Sequence, residues 1–408
     1  MKNASIKLSL FINYFLFAIL LNSVGIVIRK AQEVFGVDEI AAATLEPFKD
    51  LSIAIVSFVI ASFLPRIGYK KAMLAALALV TVGCVGMYFG NSFEASRLLF
   101  ACIGTAFALV KVSVYSVIGL VTDDSKSHNS LMSNIEGFFM FGVAAAYFIF
   151  PAFYSETDPD AWLDVYLLLA GLSALTFLIL FFSPFDEGSE IPGSNLKEDF
   201  MAMLGLISRT LVIVFVFSAF LFVMIEQGIM TWLPTFNERV LSLGERLGDN
   251  MAALLPVSLG VGRFAAGILS KKVSWVWIIT GCILCAMIMV VFVLPRVVSA
   301  DMVEASTFSE LPPLAFAFPL VGLFIAPIYP LINSVVLSAL PKSLHSPMSG
   351  LIIIFSALGG TVGSLLTGAL FKNMGADKAF YYTLIPMVLL LIFVFLLKRL
   401  TVRESAAA

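Results

Sequence analysis

The feature that most constrains this chain is the repetition of one length. Apolar runs of about twenty residues recur, each long enough to cross the ~30 Å hydrocarbon core of a bilayer as an α-helix. Twelve are found, at 7–28, 42–64, 71–90, 95–121, 129–153, 161–183, 208–234, 249–270, 274–295, 312–340, 344–370 and 378–398. Of 408 residues, 60% are apolar and 13% charged, the latter about half the share of a soluble domain. A water-soluble fold of this length cannot bury so much apolar surface, and disorder needs the opposite composition. The expected fold is an all-α membrane protein of twelve transmembrane helices.

The longest polar interruption, 184–207, is rich in Pro, Gly, Ser and acid. It divides the chain into a six-helix bundle at 1–183, a linker at 184–207 and a second six-helix bundle at 208–408. Many secondary transporters are built from such repeats. The first run follows Lys2 and Lys7 and lacks a small-residue cleavage site, so it reads as a retained helix and not a signal peptide. With the N-terminus in the cytoplasm, the inner segments carry fourteen Lys and Arg and the outer ones eight. That bias places both termini and the linker inside.

Several function classes drop out. A net charge of −2 provides no footprint for nucleic acid. Cys84, Cys102, Cys282 and Cys285 all lie within apolar runs, and the Cys282–Cys285 spacing has no His or acidic partner nearby, so packing is expected and no metal site. His128 and His345 fall in loops and no HExxH is present, so no enzyme constellation is visible. A sensor would need a soluble output domain, and no stretch is long enough to be one.

Ionisable groups deep in a membrane helix cost at least ~2.5 kcal/mol each, so they need partners, water or a task. Lys111 lies in the fourth run and Glu136 in the fifth, at depths differing by about 5 Å at the helical rise. They can form an ion pair, either a structural bridge or the proton-coupling site. Glu46, Lys49 and Asp50 share one face of the second run at i, i+3 and i+4, in its outer third where water reaches. They form either a structural charge cluster or part of an outer gate. In the seventh run Glu226 and Gln227 precede Gly228 and Pro234, which weaken the helical ladder where a helix must bend. Glu226 and Gln227 are therefore candidates for substrate contact. Among the aromatics Tyr14, Phe138, Phe139, Trp232 and Tyr329, Trp232 and Tyr329 adjoin polar or helix-breaking residues and suit the C–H face of a sugar ring.

Gly262-Arg263-Phe264-Ala265-Ala266-Gly267 with Lys271-Lys272, Gly322 to Pro330, Ser356 to Gly368, and Arg66 to Lys71 together resemble the major facilitator superfamily. They most resemble its branch of fucose, galactose and glucose proton symporters. The resemblance covers nearly the whole chain. Pro65 stands where the superfamily usually has Asp in the loop between its second and third helices. The branch has an Asp near the middle of helix 1 and a Glu in helix 4, where this chain has Asn22 and Lys111. Its helix 5 has a neutral residue where Glu136 stands. The resemblance thus implies that the acid has moved to Glu136, facing a new lysine that also suits an anionic substrate such as a sugar acid.

The expected activity is secondary transport of a small polar solute, a sugar or sugar derivative, by proton-coupled alternating access. Glu136 and Lys111 are the coupling candidates. Asn22, Glu226, Gln227, Trp232, Tyr329 and Asn333 are the substrate candidates. No cofactor is expected; a proton is the coupling ion, with sodium as the alternative. The expected setting is the cytoplasmic (inner) membrane of a bacterium, as a monomer in the lipid bilayer. An exporter of drugs or metabolites on the same fold is the rival reading, ahead of a membrane sensor or enzyme.

Overall fold

The computed structural model describes residues 4–61, 64–121, 125–184, 201, 205–270, 272–299, 307–339 and 345–407. All regular elements among them are helices. The first, α1, is Ala4–Asn22 and runs on past Ser23 as Val24–Val34. A short helix, Glu39–Ala43, precedes α2, Leu45–Ala61. Next come α3, Tyr69–Gly90; α4, Phe93–Leu120; α5, Ser125–Ile149; and α6, Asp164–Phe182. The second half holds α7, Thr210–Arg239, and α8, Leu254–Leu269, with Glu245–Ala252 before it. Then follow α9, Trp275–Ile288, extended by a π turn at Met289–Val293, and α10, Ile328–Ala339, after Val321–Ile325. The last two are α11, His345–Met374, and α12, Leu384–Ala407.

Each apolar run of the sequence is therefore occupied by a helix, and ten helical stretches among the described residues are long and apolar enough to span a membrane. The two runs that fall short contain α2 and α5. Glu46, Lys49 and Asp50 interrupt the apolar length of α2, and the polar start Ser125–Ser130 interrupts that of α5. Several ends move: α7 continues past Pro234 to Arg239, α11 to Met374 and α12 to Ala407. A proline is tolerated inside a membrane helix where neighbouring groups satisfy the freed backbone carbonyl.

The chain divides into two compact units. Unit 1 is Met1–Val37 with Thr44–Glu198; unit 2 is Asp38–Ala43 with Asp199–Ala408. Most of the expected linker, 184–207, lies outside the described residues.

In unit 1, Asn91 ends α3 in the left-handed region at φ 31°, and the Ser92 hydroxyl caps α4 by accepting from the Ala95 N–H at 3.2 Å. Two glycines set the closest crossings. A methyl on Gly104 of α4 would strike the Lys49 carbonyl of α2, and one on Gly142 of α5 would lie 2.6 Å from Ala18 of α1. Lys70, from the Arg66–Lys71 segment, donates to the carbonyls of Phe181 and Ser183 at 2.9 and 2.8 Å. It thereby satisfies the orphan carbonyls at the C-terminus of α6 and complements the helix dipole.

In unit 2, α7 and α11 pack along a glycine seam. Methyls on Gly359 and Gly363 would fall on the Phe220 and Met224 carbonyls, and one on Gly368 within 2.6 Å of the Trp232 ring. The segments quoted above for the resemblance also meet: Gly262 of α8 rides against the Leu323 carbonyl, and Gly322 against Leu255 and Ser258.

The short helix Glu39–Ala43 is held within unit 2 by two ion pairs. Lys372 donates to Asp38 and Arg239 to Glu39, each at 2.6 Å. The hydrogen bond from Lys372, then one from the Ala41 N–H, holds the Asp38 carboxyl below its ordinary range. Burial pushes Glu39 up, but the hydrogen bond from Arg239 outweighs it, and Glu39 also ends below its ordinary value. Both carboxylates therefore stabilise the attachment above about pH 4, and the contribution is lost as the pH falls through the depressed values. Amide exchange across 38–43, corrected for intrinsic rate, should accelerate below about pH 4 in the wild type. The variant Asp38→Asn with Glu39→Gln should exchange fast and without that pH dependence.

A second expectation concerns the seam. Gly363→Ala should destabilise by about 1–3 kcal/mol through overpacking. Gly281→Ala, which meets no atom within 4 Å, should be neutral or stabilising. Thermal unfolding of the two in the same detergent measures the difference, and equal melting temperatures would contradict it.

Candidate functional site

Unit 2 gathers polar side chains from four helices. The Glu226 carboxylate on α7 is buried, and its Oε1 lies 3.5 Å from Arg263 Nη2 on α8. Tyr329 on α10 shares a hydrogen bond of 3.1 Å with the Ser356 hydroxyl on α11, and Asn333 also bonds its hydroxyl. The Tyr329 ring stacks on Phe222 of α7, centroids 5.3 Å apart and planes 25° apart. The charges of Glu226 and Arg263 both act at Tyr329. Three residues expected from the sequence, Glu226, Tyr329 and Asn333, thus belong to one cluster. The Asn333 Oδ1 is buried with no hydrogen-bond partner among the described residues. An unpaired buried acceptor is costly, and a ligand hydroxyl or a water would relieve it.

The local reasons are plain. Glu226 and Phe222 are one turn apart on α7 and so share a face, as Tyr329 and Asn333 do on α10. Gly262 brings α8 close to the backbone before α10, and the adjacent Arg263 reaches the Glu226 carboxylate on α7. Arg263, Ser356 and Phe222 were missed by the sequence reading of the site. Arg263 was legible as a cation inside an apolar run, but it entered only through the Gly262–Gly267 segment that carries the resemblance.

The other candidates are placed differently. Trp232 is fully buried, its indole N–H donating to the Ser364 carbonyl at 3.0 Å and its ring 5.0 Å from that of Phe371. It serves the α7–α11 seam, because the gap left by Gly368 is the space its ring fills. Gln227 is half-buried on α7. Asn22 turns back on its own helix and donates to the Ala18 carbonyl at 2.9 Å.

In unit 1, Lys111 Nζ lies 5.7 Å from the Phe107 ring centroid, within an aromatic group that includes Tyr14, Phe17 and Phe139. Glu136 lies on α5, but its side chain is outside the described residues, and so is the expected pair with Lys111. Glu46, Lys49 and Asp50 do share one face, as spaced, but they are buried and not water-washed: 0%, 4% and 8% exposed. Arg29 and Lys30 on α1 are also buried; both pair with Glu33 and lie against Tyr154.

The family model described as Major Facilitator Superfamily matches residues 8–306. No relative is found among curated proteins. Three solved structures align over nearly the whole of both chains. A bacterial homologue of the human lysosomal transporter Spinster, inward-facing and unoccupied, has a TM-score of 0.75 at 15% identity, covering 98% of this chain and 97% of that one. The E. coli fucose:proton symporter has 0.64 at 14%, covering 97% and 99%. A D-xylose–proton symporter has 0.70 at 13%, covering 97% of each. At these identities the likeness is one of fold.

The Glu226–Arg263 pair should behave as a linked unit. Arg263→Met leaves a buried carboxylate without its cation and should cost about 1–3 kcal/mol, between the exposed-pair and buried-pair limits. Adding Glu226→Gln to it should restore most of the loss. Thermal unfolding of both singles and the double measures the coupling, and strictly additive effects would show that the two do not interact.

Proposed function

We propose a sugar-transport function for this chain, which belongs to the major facilitator superfamily. It is an integral membrane protein of that transporter family and not of an enzyme family. The solute in our reading is a sugar or sugar derivative, moved inward by alternating access and driven by protons. The observation that carries this reading is the unit 2 cluster of Glu226, Arg263, Tyr329, Asn333 and Ser356 among otherwise apolar helices. A carboxylate, a guanidinium, an amide and two hydroxyls suit a polyhydroxylated ligand, which needs donors and acceptors at several points. The Tyr329 ring, backed by Phe222, offers a flat apolar face for the C–H surface of a pyranose. Arg263 extends the class to sugar acids, since a guanidinium holds a carboxylate bidentately. The names of the fucose and xylose symporters agree with the sugar class.

Gln227 completes the proposed contacts within unit 2, with Trp232 holding α7 in place, and Asn22 is a separate contact candidate within unit 1. The Lys and Arg bias supports cytoplasmic termini; the setting in our reading is a bacterial inner membrane, with the chain acting as a monomer.

The test is a panel of radiolabelled neutral sugars, sugar acids and amino sugars, offered to proteoliposomes with an imposed proton gradient. At least one sugar should accumulate, and a protonophore should abolish the accumulation. Glu226→Ala should weaken binding of that sugar by about 2–3 kcal/mol, roughly 30- to 150-fold. Gradient-driven efflux of amphipathic drugs with no sugar uptake would establish the exporter instead.

A further inference from the structure

We propose that Asp50, in the buried Glu46–Lys49–Asp50 trio of α2, is the residue that takes up the coupling proton. This rests on the reading of the chain as a proton-driven transporter.

One ammonium serves two carboxylates. Lys49 Nζ lies 2.5 Å from Glu46 Oε1 and 3.5 Å from Asp50 Oδ1. The shorter bond goes to the acid that is wholly enclosed, and Asp50 is both the more loosely held and the more exposed. A second carboxylate beside a first, away from water, is held at least cost with a proton on it.

On α4 the residue at this level is Gly104, which packs against the Lys49 carbonyl and the Ser52 Cβ and brings no charge. The charges of α4 lie two turns away on either side. Arg97 bonds Thr44 at 3.2 Å and pairs with Glu94 at 2.6 Å, and Lys111 sits against Phe107. On α1, Arg29 and Lys30 pair with Glu33 at 3.5 and 3.3 Å. Among the described residues, Lys49 is the ion-pair partner of Asp50.

The trio then has two arrangements. With Asp50 protonated, Lys49 stays on Glu46. With Asp50 ionised, the ammonium is drawn between two anions one turn apart. The proton comes from water on one side and returns to water on the other, so nothing is consumed. The position also suits coupling. The chain leaves unit 2 at Ala43, and Glu46 follows within a turn in unit 1. A shift of charge at Asp50 therefore acts about two turns from the place where the polypeptide passes between units.

The test has a substrate-free arm and a transport arm. Wild-type protein in liposomes is titrated by infrared difference spectroscopy, following the C=O band of a protonated carboxyl. That band should be lost in Asp50→Asn and retained in Glu136→Gln. Asp50→Glu should keep the band with a shifted midpoint, and it guards against misfolding of Asp50→Asn. In the transport arm, the sugar that the wild type accumulates from the panel is used. Asp50→Asn should lose accumulation against a gradient yet keep exchange of labelled for unlabelled sugar, because exchange needs no net proton movement. A band retained in Asp50→Asn and lost in Glu136→Gln would move the coupling site to α5 and overturn the proposal. So would an Asp50→Asn protein that still concentrates sugar in response to the proton gradient. If no sugar is accumulated by the wild type, the transport reading fails, and the infrared arm still decides whether Asp50 binds a proton.

Discussion

Inside a bilayer no water is available to satisfy a polar group, and the rest of this structure depends on that constraint. The backbone answers it by forming helices along each apolar run. Side-chain hydroxyls answer it by bonding to their own helices. Ser9 donates to the Ile6 carbonyl, Thr81 to Leu77, Thr176 to Leu172 and Ser218 to Val214. Such bonds neutralise a hydroxyl without fixing any tertiary contact. Some charged groups pair within their own helix, as Lys49 does with Glu46, and others reach across to another. The latter draw helices together: Glu226 to Arg263 across α7 and α8, and Lys70 to the end of α6.

Helix association in lipid has no hydrophobic driving force, so close approach must come from shape. Glycine supplies it at each crossing that matters here. Gly104 and Gly142 organise unit 1, and Gly359, Gly363 and Gly368 line the α7–α11 seam. Gly262 and Gly322 explain why two sequence segments far apart in the chain both carry recognisable small-residue patterns. Each is needed so that the backbone of one can lie against the other. Arg263, next to Gly262 on α8, reaches Glu226 on α7.

The sequence was a good guide wherever the signal was local. Helix length comes from the apolar runs, and the shared face of Glu46, Lys49 and Asp50 follows from their spacing. Glu226, Tyr329 and Asn333 were identifiable as polar groups in apolar surroundings. Trp232 illustrates the limit. Proximity to Gly228 and Pro234 pointed to a binding role, but its indole is spent on the Ser364 carbonyl and its ring on the gap at Gly368. The charged trio of α2 shows another limit. Depth along the helix suggested water access, whereas burial depends on the neighbour that crosses there.

What the sequence by itself determined is therefore the one-dimensional part: an all-helical membrane chain, the helix positions and the identity of the costly polar groups. These follow from bilayer thickness and helical periodicity, which act on residues near each other in the chain. Only the tertiary structure decided which polar groups meet. Arg263 joins Glu226, Ser356 joins Tyr329, and Gly104 closes over Lys49, because those pairings are set by where helices distant in sequence cross. A linear pattern carries no record of that geometry until the glycines that permit it are seen in contact.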